Sequence, residues 1–391
     1  MKSKPQIIAV LALLFSATIA SAVLAQQKPR ARDLGVPFDG APGPLNAITD
    51  VAGVAVGHST IISGEGKLVV GKGPVRTGVT AILPRGKESA DSVFAAWFSL
   101  NGDGEMTGTT YIEDLGFLEG PVMITNTYSV GVVRDAVTSW CLAQKIFPPG
   151  EYCWSLPVSA ETWDGSLNDI AGMHVRKEHV YEALSSAKAG SVQEGNVGGG
   201  TGMTCHSFKG GIGTASRKLD DRAGGYIVGV LVQCNYGTRR QLRIAGVPVG
   251  QELQENMASA NDNDEDSGSI IIVVATDAPL LPHQLKRVVR RASLGLARMG
   301  STSGNGSGDI FIAFSTANAS VGRGRDPNSV TMLPNGRLNP IFEATVQATE
   351  EAIVNALVAA ETMTGADNHK VIGLPHDQLR EILKKYNRLA K

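Results

Sequence analysis

The pair Gly268-Ser269 stands where a polar, acid-rich stretch gives way to the densest apolar run of the chain, SIIIVVAT at 269–276. If the peptide bond between the two residues is cut, Ser269 becomes a chain terminus, and its hydroxyl lies beside its own α-amino group. An α-amine has an unperturbed pKa of about 8, so near neutral pH it can accept the hydroxyl proton without any histidine. The pattern fits a self-activated nucleophile. The same residues also fit a serine that merely opens a strand after a loop, and spacing alone favours that plainer reading.

Other arrangements that could carry chemistry fail on inspection. No GxSxG elbow occurs, and the SxxK at Ser185-Lys188 closes an amphipathic helical stretch without its partner motifs. The glycine cluster at 195–202 lacks both the GK[ST] ending of a phosphate loop and a well-placed GxGxxG. Asp262, Asp264 and Asp266 mimic half a calcium loop, but Ser267 replaces the turn glycine and Val273 stands where a bidentate glutamate belongs. There is no CxxC and no zinc spacing. His174 and His179, without an HExxH, read as surface helix positions. No metal is expected.

Composition narrows the class of function. Of 391 residues 42% are hydrophobic and 19% charged, enough for a sizeable core. Lys and Arg number 36 against 37 Asp and Glu, so no basic excess exists to neutralise phosphates, and nucleic acid is not an expected partner. Glycine is over-used, at 46 residues against an average near 7%, with no collagen period. The excess is expected in tight turns and close backbone approaches.

The N-terminus reads as a cleaved export signal over 1–25: Lys2 and Lys4, an apolar stretch from Ile7 to Ile19, then small residues ending at Ala22 or Ala25. The mature chain is then expected in the periplasm or outside the cell, free of the membrane. Four cysteines are too few for a disulfide scaffold. Cys141 and Cys153 are near enough in sequence to pair, whereas Cys205 and Cys234 read as small buried residues.

Elements that could position Ser269 follow from periodicity. After an extended lead-in at 26–50, short buried strands are expected at Val51–Gly57, Val79–Leu83, Pro121–Asn126 and Tyr226–Gln233. The strongest are Ser269–Thr276 and Asp309–Ser315. Helical spacing marks Val130–Cys141, one helix over His283–Arg298, and a long Ala-rich helix over Ile341–Met363. The polar stretch Glu255–Ser267 reads as an exposed, mobile linker. Strands preceding helices in both halves imply an α+β layered architecture.

The sequence around Ser269 (GSIIIVVATDAPLLPHQL, 268–285) and the later GNGSGDIFIAFSTAN (304–318) resemble the self-processing serine aminopeptidases typified by L-aminopeptidase D-Ala-esterase/amidase (DmpA) and β-peptidyl aminopeptidase (BapA). RARDLGVPFDG, LNAITDVAGVAVGH, EGNVGGGTGM, VGVLVQCNYG and VQATEEAIVNALVAAETMTGA extend the likeness over essentially the whole mature chain. The resemblance implies a four-layer αββα sandwich, layered as in N-terminal nucleophile hydrolases but differently connected. It implies a single catalytic domain, 26–391, that cuts itself at Gly268-Ser269 into 26–268 and 269–391, without an organic cofactor. It also implies a homotetramer of processed two-chain protomers acting on small peptides, amides or esters with a free N-terminal amine.

By the same resemblance, Ser269 attacks first Gly268 and later the substrate. Asn235 supplies an amide donor for the oxyanion, which is suitable chemistry for developing negative charge. Taken alone, Asn235 also fits a turn before Tyr236-Gly237. Ser307 and Asp309 would orient the nucleophile and its amine, and Glu161 would hold the substrate's ammonium. Trp163 departs from the tyrosine of D-Ala-esterase members, and an indole donates one hydrogen bond but cannot act as a phenol. In contrast, NTYSVG at 126–131 and GSGDIFIAF are nearer to that branch, so preference among L-α, D-α and β-amino-acid substrates stays open. A rival of another class is a non-catalytic exported binding protein that keeps the fold and stays uncut.

Overall fold

A computed structural model describes residues 28–144, 156–256, 268–319, 321 and 327–390. The anticipated leader, Cys153, and the linker from 257 to 267 lie outside the described residues. In chain order the main strands are β1 (Ala55–Ser63), β2 (Val75–Leu83), β3 (Val93–Gly102), β4 (Phe117–Leu118), β5 (Val122–Asn126) and β6 (Val158–Thr162). They continue with the short pair β7 (Thr204–Cys205) and β8 (Phe208–Lys209), then β9 (Gly211–Lys218), β10 (Ile227–Asn235), β11 (Ser269–Thr276) and β12 (Gly308–Ser315). The helices are α1 (Thr109–Leu115), α2 (Val130–Ala143), α3 (Lys177–Ser186), α4 (Val249–Asn256), α5 (Pro282–Val289), α6 (Ala292–Arg298), α7 (Asn339–Ala359) and α8 (His376–Lys385).

Two mixed sheets lie face to face, ordered β1-β2-β5-β6 and β4-β3-β12-β11-β10-β9. Strand β11 is central, antiparallel to β10 and parallel to β12. Its alternation explains the layering. Ile270, Ile272 and Val274 turn outward into a core shared with Leu285 of α5, Leu296 of α6 and Ile353 of α7. Ile271, Val273 and Ala275 turn inward and meet Ile124 and Ala160 of the opposing sheet. A third core joins Val79, Ala81 and Met123 to Val133 and Val137 of α2 and Leu184 of α3. A strand covered on both faces carries no polar alternation, which is why β11 reads as an unbroken apolar run. The result is the expected helix–sheet–sheet–helix sandwich.

Glycine permits the layers to close. A Cβ on Gly213 of β9 would lie 2.0 Å from the Ala352 carbonyl of α7, and one on Gly57 of β1 would lie 2.1 Å from the Ala183 carbonyl of α3. Backbone touches backbone in both outer layers. The lead-in is held by charge: Arg32 and Arg217 both pair at 2.7 Å with Glu351, which is fully buried in α7.

Several boundaries differ from the sequence reading. The first strand starts at Ala55 rather than Val51, because Gly53 turns the chain at φ 91. The helix expected over His283–Arg298 is two helices, interrupted at Arg290-Arg291. Helix α7 spans Asn339–Ala359 and so ends before Met363. Only His179 lies on α3; His174 precedes it and pairs with Asp169 at 2.7 Å. Residues 255 and 256 of the expected linker close α4. Cys205 and Cys234 are buried as read, but they are joined in a disulfide rather than being separate small residues. The cause is tertiary: β7 folds onto the end of β10, and their Cα atoms come to 5.7 Å. Cys141 is also disulfide-bonded.

Candidate active site

Ser269 opens β11 and is buried, and its cross-strand partner at the end of the β10–β11 ladder is Asn235. The Gly308 N–H donates to Ser269 Oγ at 3.0 Å. Gly308 opens β12, and a Cβ there would lie 2.3 Å from the Asp103 carbonyl, so the turn after β3 sits directly on it. Gly268 is equally confined, since a Cβ would lie 2.3 Å from the Asn235 carbonyl. Gly268 and Gly308, which border Ser269, are glycines because other backbone fills their side-chain space.

The Asn235 side chain is clamped at both ends by backbone. Its Oδ1 accepts from the Thr204 N–H at 2.8 Å, and its Nδ2 donates to the Trp163 carbonyl at 3.0 Å. This fixes which end of the amide is the donor, and leaves the second Nδ2 hydrogen for a developing charge. The carbonyl of Trp163 thus does structural work, while its indole is half exposed and lies over Gly165.

Ser307 and Asp309 form a pair of their own, with Ser307 Oγ donating to Asp309 Oδ1 at 2.7 Å. Both are buried, and Asp309 stands beside Ile270 in the parallel β11–β12 ladder. Glu161, on β6, faces the same region from the other sheet. Its Oε1 accepts from the Glu105 N–H at 2.9 Å and its Oε2 from the Thr127 hydroxyl. Burial pushes its carboxyl above the usual range; those two hydrogen bonds oppose the shift, and the charges of Glu105 and Asp103 add to it.

The fold thus gathers Ser269, Asn235, Ser307, Asp309 and Glu161 at one end of the two sheets. Sequence reasoning missed Thr127, Glu105, Thr204 and Gly308, which orient these groups. Gly308 had a signal in the GSGD turn; the others act through backbone or a single hydroxyl and had none. Among the described residues no group of three or more His, Cys, Asp or Glu could hold a metal ion. No helix among them is long and apolar enough to cross a membrane.

The model of peptidase family S58 matches residues 46–371. This chain belongs to that family. The S58 chain is 58% identical to β-peptidyl aminopeptidase BapA of Sphingosinicella microcystinivorans over 97% of its own length and 98% of the relative's. It is 51% identical to BapA of Sphingosinicella xenopeptidilytica, covering 91% of each. Among solved structures, L-aminopeptidase D-Ala-esterase/amidase from Ochrobactrum anthropi, described as a prototype serine aminopeptidase and a new variant among the Ntn hydrolase fold, superposes with TM-score 0.85 at 49% identity. That match covers 93% of this chain and all of that one. A Burkholderia sp. β-aminopeptidase follows at TM-score 0.83 and 46% identity, over 91% of this chain and 99% of that one. This S58 member is a hydrolase, an aminopeptidase of the BapA/DmpA type.

Proposed function

We propose that the chain cuts itself between Gly268 and Ser269 and then releases N-terminal residues from peptides by acyl transfer to Ser269. In the first reaction Ser269 Oγ adds to the Gly268 carbonyl, and its proton passes to the Ser269 nitrogen as the peptide C–N bond breaks, leaving an ester and a free α-amine. Water then hydrolyses the ester, which ends the larger chain in a Gly268 carboxylate and restores the Ser269 hydroxyl. In the second, Ser269 Oγ passes its proton to that amine and bonds to the carbonyl carbon of the substrate's first residue. The amine returns the proton to the leaving nitrogen, and water releases the acyl group. Asn235 Nδ2 donates to the tetrahedral oxyanion in both reactions. Ser307 and Asp309 orient the nucleophile and its amine, Glu161 binds the substrate's ammonium, and Trp163 borders the substrate at the mouth of the cleft. Ammonium capture beside the nucleophile explains release of terminal residues only.

The observation that carries this reading is the placement of Ser269, with the Gly308 N–H at its hydroxyl and Asn235 directly across the ladder. The substrates we assign are peptides capped by a β-amino acid, because the relatives at 58% and 51% identity are β-peptidyl aminopeptidases. The chain is read as exported after loss of 1–25, and as a homotetramer of processed protomers. Intact mass and N-terminal sequencing of purified protein test the mechanism: two fragments are expected, the smaller beginning Ser269-Ile270-Ile271. A folded, aged, uncut chain would overturn it. Comparing hydrolysis of β-Ala, L-Ala and D-Ala amides tests the substrate assignment, with β-Ala expected to lead.

A further inference from the structure

Lys209 has no role in that mechanism, yet it is fully buried in β8. Its Nζ donates to the carbonyls of Met203 at 2.6 Å, Gly210 at 2.9 Å and Gly200 at 3.4 Å. All three ammonium protons are directed at backbone. Burial pulls its pKa down to about 7, and the charge that opposes this and favours the ammonium is Asp164, itself fully buried and held by Asn168 Nδ2 at 2.9 Å. Burying charged groups costs several kcal/mol per ion, and well-packed apolar residues commonly serve stability as well. Stability is a weak reason for this lysine.

Geometry supplies a better one. The Met203 carbonyl and the Thr204 N–H belong to the same peptide group. Lys209 binds its oxygen, and Asn235 Oδ1 accepts from its N–H at 2.8 Å. In the β7–β8 hairpin Thr204 is also the cross-strand partner of Lys209, which fixes the register of this relay. A cation on a peptide oxygen draws electrons from the nitrogen and strengthens the N–H as a donor, and hydrogen bonds in a chain polarise one another. The same polarisation passes through the Asn235 amide to Nδ2, which donates on its other side to the Trp163 carbonyl.

We propose that Lys209 is a positioning residue, whose charge, relayed through the Met203–Thr204 peptide, orients and polarises the Asn235 amide for the oxyanion. The inference rests on the oxyanion reading of Asn235.

The test is Lys209→Met in the full chain, with Lys209→Gln, which keeps an amide donor for Met203, taking its place if the methionine variant does not fold. The measurements are kcat and KM on a β-Ala amide, the rate of Gly268–Ser269 cleavage, and inhibition by 2-aminoethylboronic acid and by β-alanine. The boronate forms an anionic tetrahedral adduct, whereas the product amino acid does not. We expect kcat, cleavage rate and boronate affinity each to fall about tenfold, the size of one charge-assisted hydrogen bond. KM and β-alanine inhibition should stay within about twofold, which loss of fold alone would not give. A folded variant with wild-type cleavage and boronate affinity overturns the proposal, as does a rise in KM with kcat unchanged. Asn235→Ala, run in parallel, separates the two ideas. If that variant keeps its kcat, the oxyanion reading itself fails; if it is crippled while Lys209→Met is normal, only the relay fails.

Discussion

Ser269 and Asn235 are the terminal cross-strand pair of the β10–β11 ladder, so the proposed nucleophile and the amide opposite it are set by sheet register. A slip of one residue would send both side chains to the other face. The eight pairs of that ladder, from Val228–Thr276 to Asn235–Ser269, make such a slip costly by burying both faces of β11.

Ser269→Ala removes the attacking oxygen but little volume. The variant is expected as a single uncut chain with no amidase activity and a Tm close to that of wild type. Denaturing gels, activity and thermal melts together check this.

Asn235→Ala deletes the amide and leaves the Thr204 N–H without its acceptor. We expect kcat to fall by about 10²–10³ with little change in KM, as for loss of an oxyanion donor. Stability should fall by about 1–3 kcal/mol, the cost of an unpaired buried donor. Steady-state kinetics on residual processed enzyme and denaturant titration measure the two effects.

Gly268→Ala puts a Cβ where the Asn235 carbonyl now lies, at 2.3 Å. The scissile peptide must shift away from the nucleophile, so cleavage slows, while any chain that does cut carries a normal Ser269 terminus. Time-resolved mass spectrometry of purified precursor should show slow conversion, with wild-type specific activity per cleaved chain.

Glu161 must be ionised to bind an ammonium, and burial raises its pKa above the 4.5 of an ordinary glutamate. The acid limb of kcat/KM is therefore expected above that value, with activity lost as pH falls through it. Glu161→Gln should abolish this limb and raise KM by at least about 30-fold, the lower end for truncating a buried charge pair. A pH series on both proteins decides the point.

Gly213→Ala forces β9 away from α7, since the added carbon would lie 2.0 Å from the Ala352 carbonyl. A loss of about 1–3 kcal/mol is expected from overpacking. Gly213 pairs with Val232, three residues before Asn235, but the added carbon points at α7, so kcat should change little; urea unfolding and kinetics test both parts.

Much of this was legible in the residues themselves. An unbroken apolar run specifies a strand buried on both faces wherever it lies, so Ser269–Thr276 was bounded correctly from sequence. The long likeness around Ser269, Asn235 and GSGD named the candidate site residues, because such motifs carry chemistry by residue type. Helix ends were less readable: Arg290-Arg291 interrupt a stretch whose apolar spacing is continuous.

Periodicity and motif identity are local properties of the chain, and they were enough to read the layered class and the family. Tertiary structure alone decided the Cys205–Cys234 disulfide, the clamp on Asn235 by Thr204 and Trp163, and the seat of Lys209 on the Met203 carbonyl. These contacts join segments up to 72 residues apart, mostly through backbone groups that every residue carries. Such groups have no residue-type signature, so only the fold shows which of them meet.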